Sequence, residues 1–147
     1  MNLAKLHRVS FWFYSNRIFL ISKFLELIIF LIYNSRVPSS VKIGKNTKFA
    51  YLGIGCVIHK NTIIGENCIL GQGITIGGRG KRPGLPIIGN NVYIGAGARI
   101  LGPITIGDNV IIGPNSVVIT NVPNNTIVGG IPAKIIKSGI ENINDFI

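Results

Sequence analysis

The sequence predicts an all-β protein, a parallel β-helix that follows a short N-terminal helical segment. Between residues 58 and 118 a branched apolar residue returns at every sixth position, with one interruption. The next residue is often glycine, and a second small or branched apolar residue usually follows four positions after this anchor. A six-residue period differs from the helical period of about 3.6 and indicates a coil with three six-residue sides. The anchors are Ile58, Ile64, Leu70, Ile76, Ile88, Ile94, Ile100, Ile106, Ile112 and Val118.

Such units are stable only as a stack, because each coil buries its inward side chains against the coils above and below. Glycine after the anchor suits a corner where the backbone needs a positive φ or leaves no room for a Cβ. Cys56 and Cys68 fall at inward positions, and we expect both to be small core residues. Two histidines cannot build a three-histidine zinc site, so we expect no metal.

Residues 1–36 lack the repeat and predict two helices, at 3–14 and 18–33. The second is apolar on most of its surface, yet a helix of about 24 Å is too short for a bilayer core of about 30 Å. We favour packing of this helix on the β-helix or between subunits. The alternative is peripheral contact with a membrane surface, helped by basic side chains. Those side chains are Lys5, Arg8 and Arg17.

Residues 37–136 form the predicted β-helix, and residues 137–147 form a C-terminal tail. The repeat is irregular in two places. Its register slips by three positions within residues 49–55. Residues 77–87 are rich in glycine, proline and cations, and no repeat anchor falls among them. This composition predicts a loop extruded from one corner. Function tends to lie where a repeat is irregular.

His59 stands at a corner position where this chain usually has glycine. One coil further on, that corner position is Gly77, where the loop begins, so the histidine and the loop share one edge of the prism. Imidazole, with an ordinary pKa of about 6.5, suits a general base that takes a proton from a hydroxyl at neutral pH. The simpler alternative is a tolerated polar residue at a corner. His7, in the first helix, is expected to be a surface or packing residue.

The formal charge of +10 suggests an anionic partner. No basic surface interleaved with aromatic residues is evident, so nucleic acid is disfavoured. The phosphates of a cofactor or an acidic glycan fit better, and simple solubilising charge is the alternative.

The repeat Ile-Gly-x-x-x-Ile, the segment 94–104 and the segment 129–135 resemble the hexapeptide-repeat acetyltransferases. The resemblance covers residues 40–136 and is strongest to short serine-acetyltransferase-like enzymes, many encoded with surface-polysaccharide genes. It implies a left-handed β-helix and acetyl-CoA as the acetyl donor, lying along the prism. Tyr51 and Leu52 stand where serine acetyltransferases carry Asp-His, and Leu85 and Pro86 stand where they carry His-Pro. The shorter relatives carry Val-Ile-His, as residues 57–59 do here, so the resemblance implies that the base has moved to His59.

The resemblance and the basic loop together assign candidate residues to two ligands. For acetyl-CoA they are Gly77, Gly78, Arg79, Ala96, Gly97, Ala98, Gly113 and Lys134, with Lys81, Arg82 and Lys137 as further phosphate candidates. For the acceptor they are Tyr51, Gln72 and Arg82. Pro114 stands where relatives often have alanine and offers no N–H, which weakens that contact.

The sequence therefore predicts an acetyl-CoA-dependent O-acetyltransferase that acts on a sugar hydroxyl in surface-polysaccharide biosynthesis. The alternatives are serine O-acetylation and a non-catalytic β-helix scaffold or binding module. A single chain offers one histidine edge with no opposing wall, which predicts a homotrimer with active sites between subunits. We expect a small-molecule or glycan acceptor and a cytoplasmic location, with the inner face of the membrane as the alternative.

Overall fold

The computed structural model describes residues 2–147 as a left-handed parallel β-helix of about 4 turns with two short helices before it. This confirms the predicted fold. The helices are α1 (Leu3–Ser15) and α2 (Phe19–Tyr33). The strands are β1 (Lys42–Ile43), β2 (Lys48–Phe49), β3 (Val57–Ile58), β4 (Ile63–Ile64), β5 (Ile69–Leu70), β6 (Thr75–Gly77), β7 (Ile87–Ile88), β8 (Tyr93–Ile94), β9 (Arg99–Leu101), β10 (Thr105–Ile106), β11 (Ile111–Ile112), β12 (Val117–Val118), β13 (Thr126–Gly130) and β14 (Ala133–Ser138).

Three parallel sheets form the sides of the prism. Sheet A contains β3, β6, β9 and β12; sheet B contains β1, β4, β7 and β10; and sheet C contains β2, β5, β8, β11 and β13, with β14 added as an antiparallel strand. Anchors pair with anchors, as Ile58 does with Ile76 and Ile76 with Ile100. The repeat counted in the sequence is therefore the coil of the structure.

The core is the column of anchors inside the prism. All ten predicted anchors are at most 2% exposed. Cys56 and Cys68 are also fully buried and remain free thiols. Burying one Ile side chain contributes roughly 1.5–3 kcal/mol, so each added coil stabilises its neighbours.

The corners have two backbone requirements, which fall on different residues. The glycine after the anchor is required by close approach: a Cβ on Gly95 would lie 2.5 Å from the nitrogen of Pro114 in the next coil. The positive φ falls two residues after the anchor's glycine, usually on asparagine. Asn67 and Asn91, for example, have φ values of 56° and 53°. Asparagine tolerates this left-handed conformation better than most residues.

The helical segment closes the N-terminal end of the prism. The side chain of Asn2 caps α1 by accepting from the N–H of Ala4 at 2.9 Å, and Leu3 and Leu6 of α1 are buried. His7 is also buried, and its Nε2–H donates to the carbonyl of Pro38 at 3.1 Å. Helix α1 therefore packs on the first coil.

Helix α2 packs through one narrow face only. Its buried residues are Ser22, Ile29 and Tyr33. Glu26 ties it to the chain before the first coil by accepting from the N–H of Ser39 at 2.7 Å, and within the helix it pairs with Lys23 at 2.9 Å. Most of its other apolar side chains face outward. No helix within residues 2–147 combines the length and apolar character of a membrane span.

The glycine requirement predicts opposite effects of two matched substitutions. Gly95→Ala should lower the free energy of unfolding by about 1–3 kcal/mol, because its Cβ would press on the backbone of the next coil. Gly77→Ala should be neutral or stabilising by about 0.4–1 kcal/mol, because its Cβ would meet only His59 Cβ, at 3.8 Å. Urea unfolding measures both, and equal midpoints would contradict the explanation.

The buried His7 predicts a loss of stability at mildly acidic pH. Burial lowers the pKa of His7, although the Pro38 carbonyl and Glu26 raise it. The unfolded chain therefore binds the proton first, near pH 6.5, and stability should fall as the pH drops below that value, by at most about 1.4 kcal/mol per pH unit. The melting temperature of His7→Gln, which keeps a donor but does not titrate, should vary less between pH 7 and pH 5.

Glu26 provides the internal check on this slope. The bonds from Ser39 and Lys23 lower the pKa of Glu26, although its partial burial opposes them. Its stabilisation is therefore present above its unfolded pKa and lost as the pH falls through the lower folded value. That window lies below the one for His7, so an undiminished slope between pH 7 and pH 5 in His7→Gln would show that the buried histidine is not its source.

Candidate active site

His59 lies at the corner between sheets A and B, directly after β3. Its backbone N–H donates to the carbonyl of Ile76 at 2.8 Å, which places Gly77 of the next coil beside it. Its Nδ1 lies 2.8 Å from the carbonyl of Lys60. Because a carbonyl only accepts, Nδ1 carries the proton and Nε2 of the neutral ring is left as an acceptor. The side chain is exposed, as a base for an incoming substrate must be.

A groove of about 420 Å³ opens in front of His59. Its floor is the outer surface of β3 and β6, and Arg36 and Pro38 form its N-terminal end. The backbone of Arg36 pairs with Val57 as a further bridge to sheet A. The groove therefore places one exposed guanidinium and one unprotonated imidazole nitrogen along the same depression.

The basic loop leaves the same edge after β6 and turns back on itself. Arg79 and Arg82 form an antiparallel bridge, and the Arg82 N–H donates to the Arg79 carbonyl at 3.2 Å. The side chain of Arg79 lies over Gly102, and Gly84 lies against Pro103. The loop thus folds along the edge, and Gly77, Gly78, Arg79 and Arg82 lie on the side of His59. We call this the His59 edge.

A second group of predicted residues lies along the corner between sheets C and A, which we call the Ala96 edge. The Gly97 N–H donates to the Gln72 carbonyl at 2.9 Å, and Gly113 donates to Val128 one coil further on. Lys134 is paired with Gly129 beside it. Gln72, Ala96, Gly97, Gly113 and Lys134 therefore follow one another along a single edge, about 4.8 Å apart from coil to coil.

Backbone groups on the Ala96 edge differ in availability. The N–H of Ala96 takes part in no bond within the described chain, whereas the N–H of Ala98 donates to Gly95 at 3.2 Å and the carbonyl of Ala98 accepts from Thr75 at 2.9 Å. The side chain of Ala98 is fully buried. Ala96 is thus better placed than Ala98 to bond a ligand, and both stay predictions.

Tyr51 begins the Ala96 edge in an unusual conformation. Tyr51 and Leu52 both have positive φ, 47° and 62°, inside the short turn Ala50–Gly53. This costs about 1–2 kcal/mol per residue and persists only where the surroundings impose it. The buried Ser35 holds the end of this turn, because its hydroxyl donates to the Gly53 carbonyl at 2.6 Å and accepts from the Cys56 N–H at 2.9 Å. The Tyr51 side chain is left 76% exposed.

The two edges lie on opposite sides of sheet A. Six residues of extended chain separate Gln72 from Gly78, which is roughly 20 Å. No side chain of one edge can reach a small acceptor held at the other. A single subunit therefore does not bring the predicted base and the predicted donor groove together.

Arg99 was missed by the sequence analysis. It points outward from sheet A, and its Nη1 donates to the carbonyls of Gly73 at 2.6 Å and Gly97 at 3.0 Å. This places a guanidinium on the Ala96 edge, beside the groove predicted for acetyl-CoA. Its position directly before the anchor Ile100, which faces outward in every coil, was the available signal.

Four of the five acidic residues lie away from both edges, and the fifth, Glu26, lines a groove that shares Arg36 and Pro38 with the groove of His59. Glu66 and Asp108 are at the corner between sheets B and C, where Asp108 accepts from the N–H of Asn90 at 2.6 Å. Glu141 and Asp145 belong to the C-terminal tail, whose Ile140 packs on sheet C. Glu26 is occupied by Ser39 and Lys23. Within residues 2–147 no three His, Cys, Asp or Glu side chains come together as a metal site.

Comparison with known proteins identifies the repeat. Residues 86–120 match the family description "Bacterial transferase hexapeptide (six repeats)". The match lies within the second half of the β-helix. The serine acetyltransferase of Synechococcus elongatus is 40% identical over 137 residues, which are 91% of this chain and 56% of that protein. The serine acetyltransferase of Staphylococcus epidermidis is 41% identical over 133 residues, 89% of this chain and 62% of the relative.

The solved structures to which this hexapeptide-repeat chain is similar are also serine acetyltransferases. The serine acetyltransferase of Brucella abortus, solved in complex with coenzyme A, superposes with a TM-score of 0.87 at 31% identity, over 93% of this chain and 56% of that one. The Neisseria gonorrhoeae enzyme gives 0.87 at 30% identity over 97% and 55%. The hexapeptide-repeat chain thus spans between half and two thirds of the relatives that it matches.

Proposed function

We propose that this hexapeptide-repeat protein is an acetyl-CoA-dependent O-acetyltransferase with His59 as its general base. The observation that carries the proposal is the bond from His59 Nδ1–H to the Lys60 carbonyl, which leaves Nε2 as a proton acceptor in the groove. The similarity to serine acetyltransferases, one of them solved with coenzyme A, supports the reaction class and the donor.

His59 performs the proton transfer in this scheme. Nε2 takes the proton of the acceptor hydroxyl while the oxygen attacks the thioester carbonyl. The C–S bond then breaks, the acetyl group stays on the acceptor oxygen, and the proton passes to the leaving thiolate. The Lys60 carbonyl orients the ring and stabilises the imidazolium that forms, which is the task that a carboxylate performs in many other bases.

The Ala96 edge fits an extended donor. The backbone approaches the surface there without large side chains, and Ala96 keeps an N–H for a carbonyl of the pantetheine arm. Pro114 removes one N–H from the same edge. Lys134 at one end and Arg99 on the sheet supply cations for the phosphates.

A homotrimer would complete the site. Because the His59 edge and the Ala96 edge of one chain are roughly 20 Å apart, the Ala96 edge of a neighbouring subunit has to face His59. A closed threefold arrangement repeats this contact three times and buries the exposed edges of each prism.

Serine is the acceptor that the comparisons favour, since the relatives are serine acetyltransferases. A sugar hydroxyl is the second candidate, and the charges around the edges favour it. A carboxylate is a common partner for the ammonium group of a serine zwitterion, and Glu26, which lines the groove adjoining that of His59, is already bonded by Lys23 and Ser39. Tyr51 at the head of the Ala96 edge offers an exposed aromatic face to a sugar ring.

Acetyl-CoA consumption by the full chain distinguishes these acceptors. The assay uses serine and a panel of sugars and nucleotide sugars at equal concentration. Faster consumption with serine would identify serine as the acceptor, as the names of the relatives suggest. Faster consumption with a sugar would identify a sugar hydroxyl as the acceptor. No consumption with any acceptor would leave a β-helix scaffold as the better description.

His59→Ala should lower turnover by about 10²- to 10⁴-fold, the usual contribution of a general base. Coenzyme A affinity should change little, because the predicted contacts lie on the other edge. His7→Ala is the matched histidine control and should keep its activity at neutral pH while lowering the melting temperature. Near wild-type turnover in a folded His59→Ala protein would reject the base assignment.

Mixing two inactive variants should test the shared site. Ala96→Trp would block the Ala96 edge and His59→Ala would remove the base, so each alone should be inactive. Unfolded and reassembled together in equal amounts, they should regain about a quarter of the wild-type activity, because that fraction of interfaces joins two intact edges. Activity that stays absent in mixed assemblies would place the complete site within one chain.

A further inference from the structure

Helix α2 presents a broad apolar surface to solvent. Leu20, Phe24, Leu27 and Leu31 recur at helical spacing along its outer side, and Leu20 is 86% and Leu31 is 71% exposed. Further exposed side chains continue the surface to either side: Phe19, Ile21, Phe30 and Ile32, with Trp12 from α1. Lys23 is the only charged residue among them on α2. An exposed apolar area of this extent on a soluble domain marks an interaction surface.

The N-terminal half of the chain is strongly basic. Residues 1–65 contain nine lysines and arginines and a single acid, Glu26, and so carry a formal charge of +8 of the total +10. All nine cations are exposed, and Glu26 is already paired with Lys23. The N-terminal half therefore favours an anionic partner.

A groove joins the apolar surface to the cations. It has a volume of about 280 Å³ and lies between α2 and the chain at residues 35–38. Leu27 and Phe30 form its apolar wall, while Arg36 and the Lys23–Glu26 ion pair line its polar side with a net positive charge. Such a groove accepts an anionic headgroup whose apolar chains continue along α2.

A lipid surface fits these observations better than a second copy of the chain. Pairing two α2 surfaces about a twofold axis would bring two strongly positive regions together without acidic partners. A bilayer accepts a broad apolar face without matching its shape, and aromatic residues such as Trp12 and Phe24 favour the interface between acyl chains and water.

We propose that α2 lies along the surface of an anionic lipid bilayer, with its apolar side among the acyl chains and Lys23 and Arg36 at the headgroups. The helix of 15 residues, about 22 Å long, lies in the plane of the surface. Arg36 and Pro38 line this groove and the groove of His59 alike. Docking therefore brings the opening of the candidate active site next to the lipid.

Flotation of the full chain with vesicles tests the proposal. The wild-type protein should float with vesicles of phosphatidylcholine and phosphatidylglycerol, and floating should weaken with pure phosphatidylcholine or at raised ionic strength. The double substitution Leu20→Glu and Leu31→Glu should lower the bound fraction at least about tenfold, since it places charge on the inserted side. Arg36→Gln should weaken binding to anionic vesicles only.

Ile136→Glu is the matched control, because Ile136 is 69% exposed on the distant strand β14. It should float like the wild type, and circular dichroism should show every variant folded. The proposal is overturned if the wild type does not float with anionic vesicles, or if the Leu20→Glu, Leu31→Glu variant floats equally well. It is also overturned if light scattering shows that the wild type forms a larger assembly and that the variant loses this assembly but still binds vesicles. That result would assign the surface to a second copy of the chain.

Discussion

Each coil of the β-helix depends on the coils beside it. The strands β1 to β12 contain only two or three residues, and the inward side chains have no surface to cover except the anchors of the neighbouring coils. This requires a close and regular approach of backbones at every corner. The glycine after the anchor permits that approach, and the asparagine or glycine two positions later takes the left-handed conformation that turns the chain. Side-chain chemistry is free to vary only where these two requirements are relaxed.

The exceptions to the repeat coincide with the candidate chemistry. His59 replaces a corner glycine where Gly77 leaves room for its Cβ, so the imidazole is accommodated without disturbing the stack. The basic loop after β6 is inserted at the same edge as His59. The three-residue insertion before β3 creates the strained turn at Tyr51. A rigid prism supports such local departures because the coils on either side hold their positions.

Charge and exposed apolar surface are also distributed unevenly between the two ends of the chain. The later coils are nearly balanced in charge, whereas the helices and first coils are strongly basic and leave α2 uncovered on its apolar side. The polar contacts that hold α2 include the bond from the Ser10 hydroxyl to the Ser22 carbonyl at 3.1 Å and the bond from the Ser39 N–H to Glu26. They fix the orientation of the helix while most of its apolar surface remains available for another partner.

The six-residue period by itself determined the coil, the inward anchors and the placement of Gly77 beside His59. These follow from counting, because parallel strands stacked in register place equivalent residues next to each other. Counting is less direct between distant coils, because coils lengthened by three and by six residues shift the register between them. Three further features were decided only by the tertiary structure: the tautomer of His59, the bonds of Ser35 at the end of the turn that contains Tyr51, and the position of Arg99. Each depends on a carbonyl or hydroxyl whose location no sequence pattern encodes. The composition of residues 18–33 predicts an apolar helix. Only the tertiary packing decided which face of that helix the first coil covers.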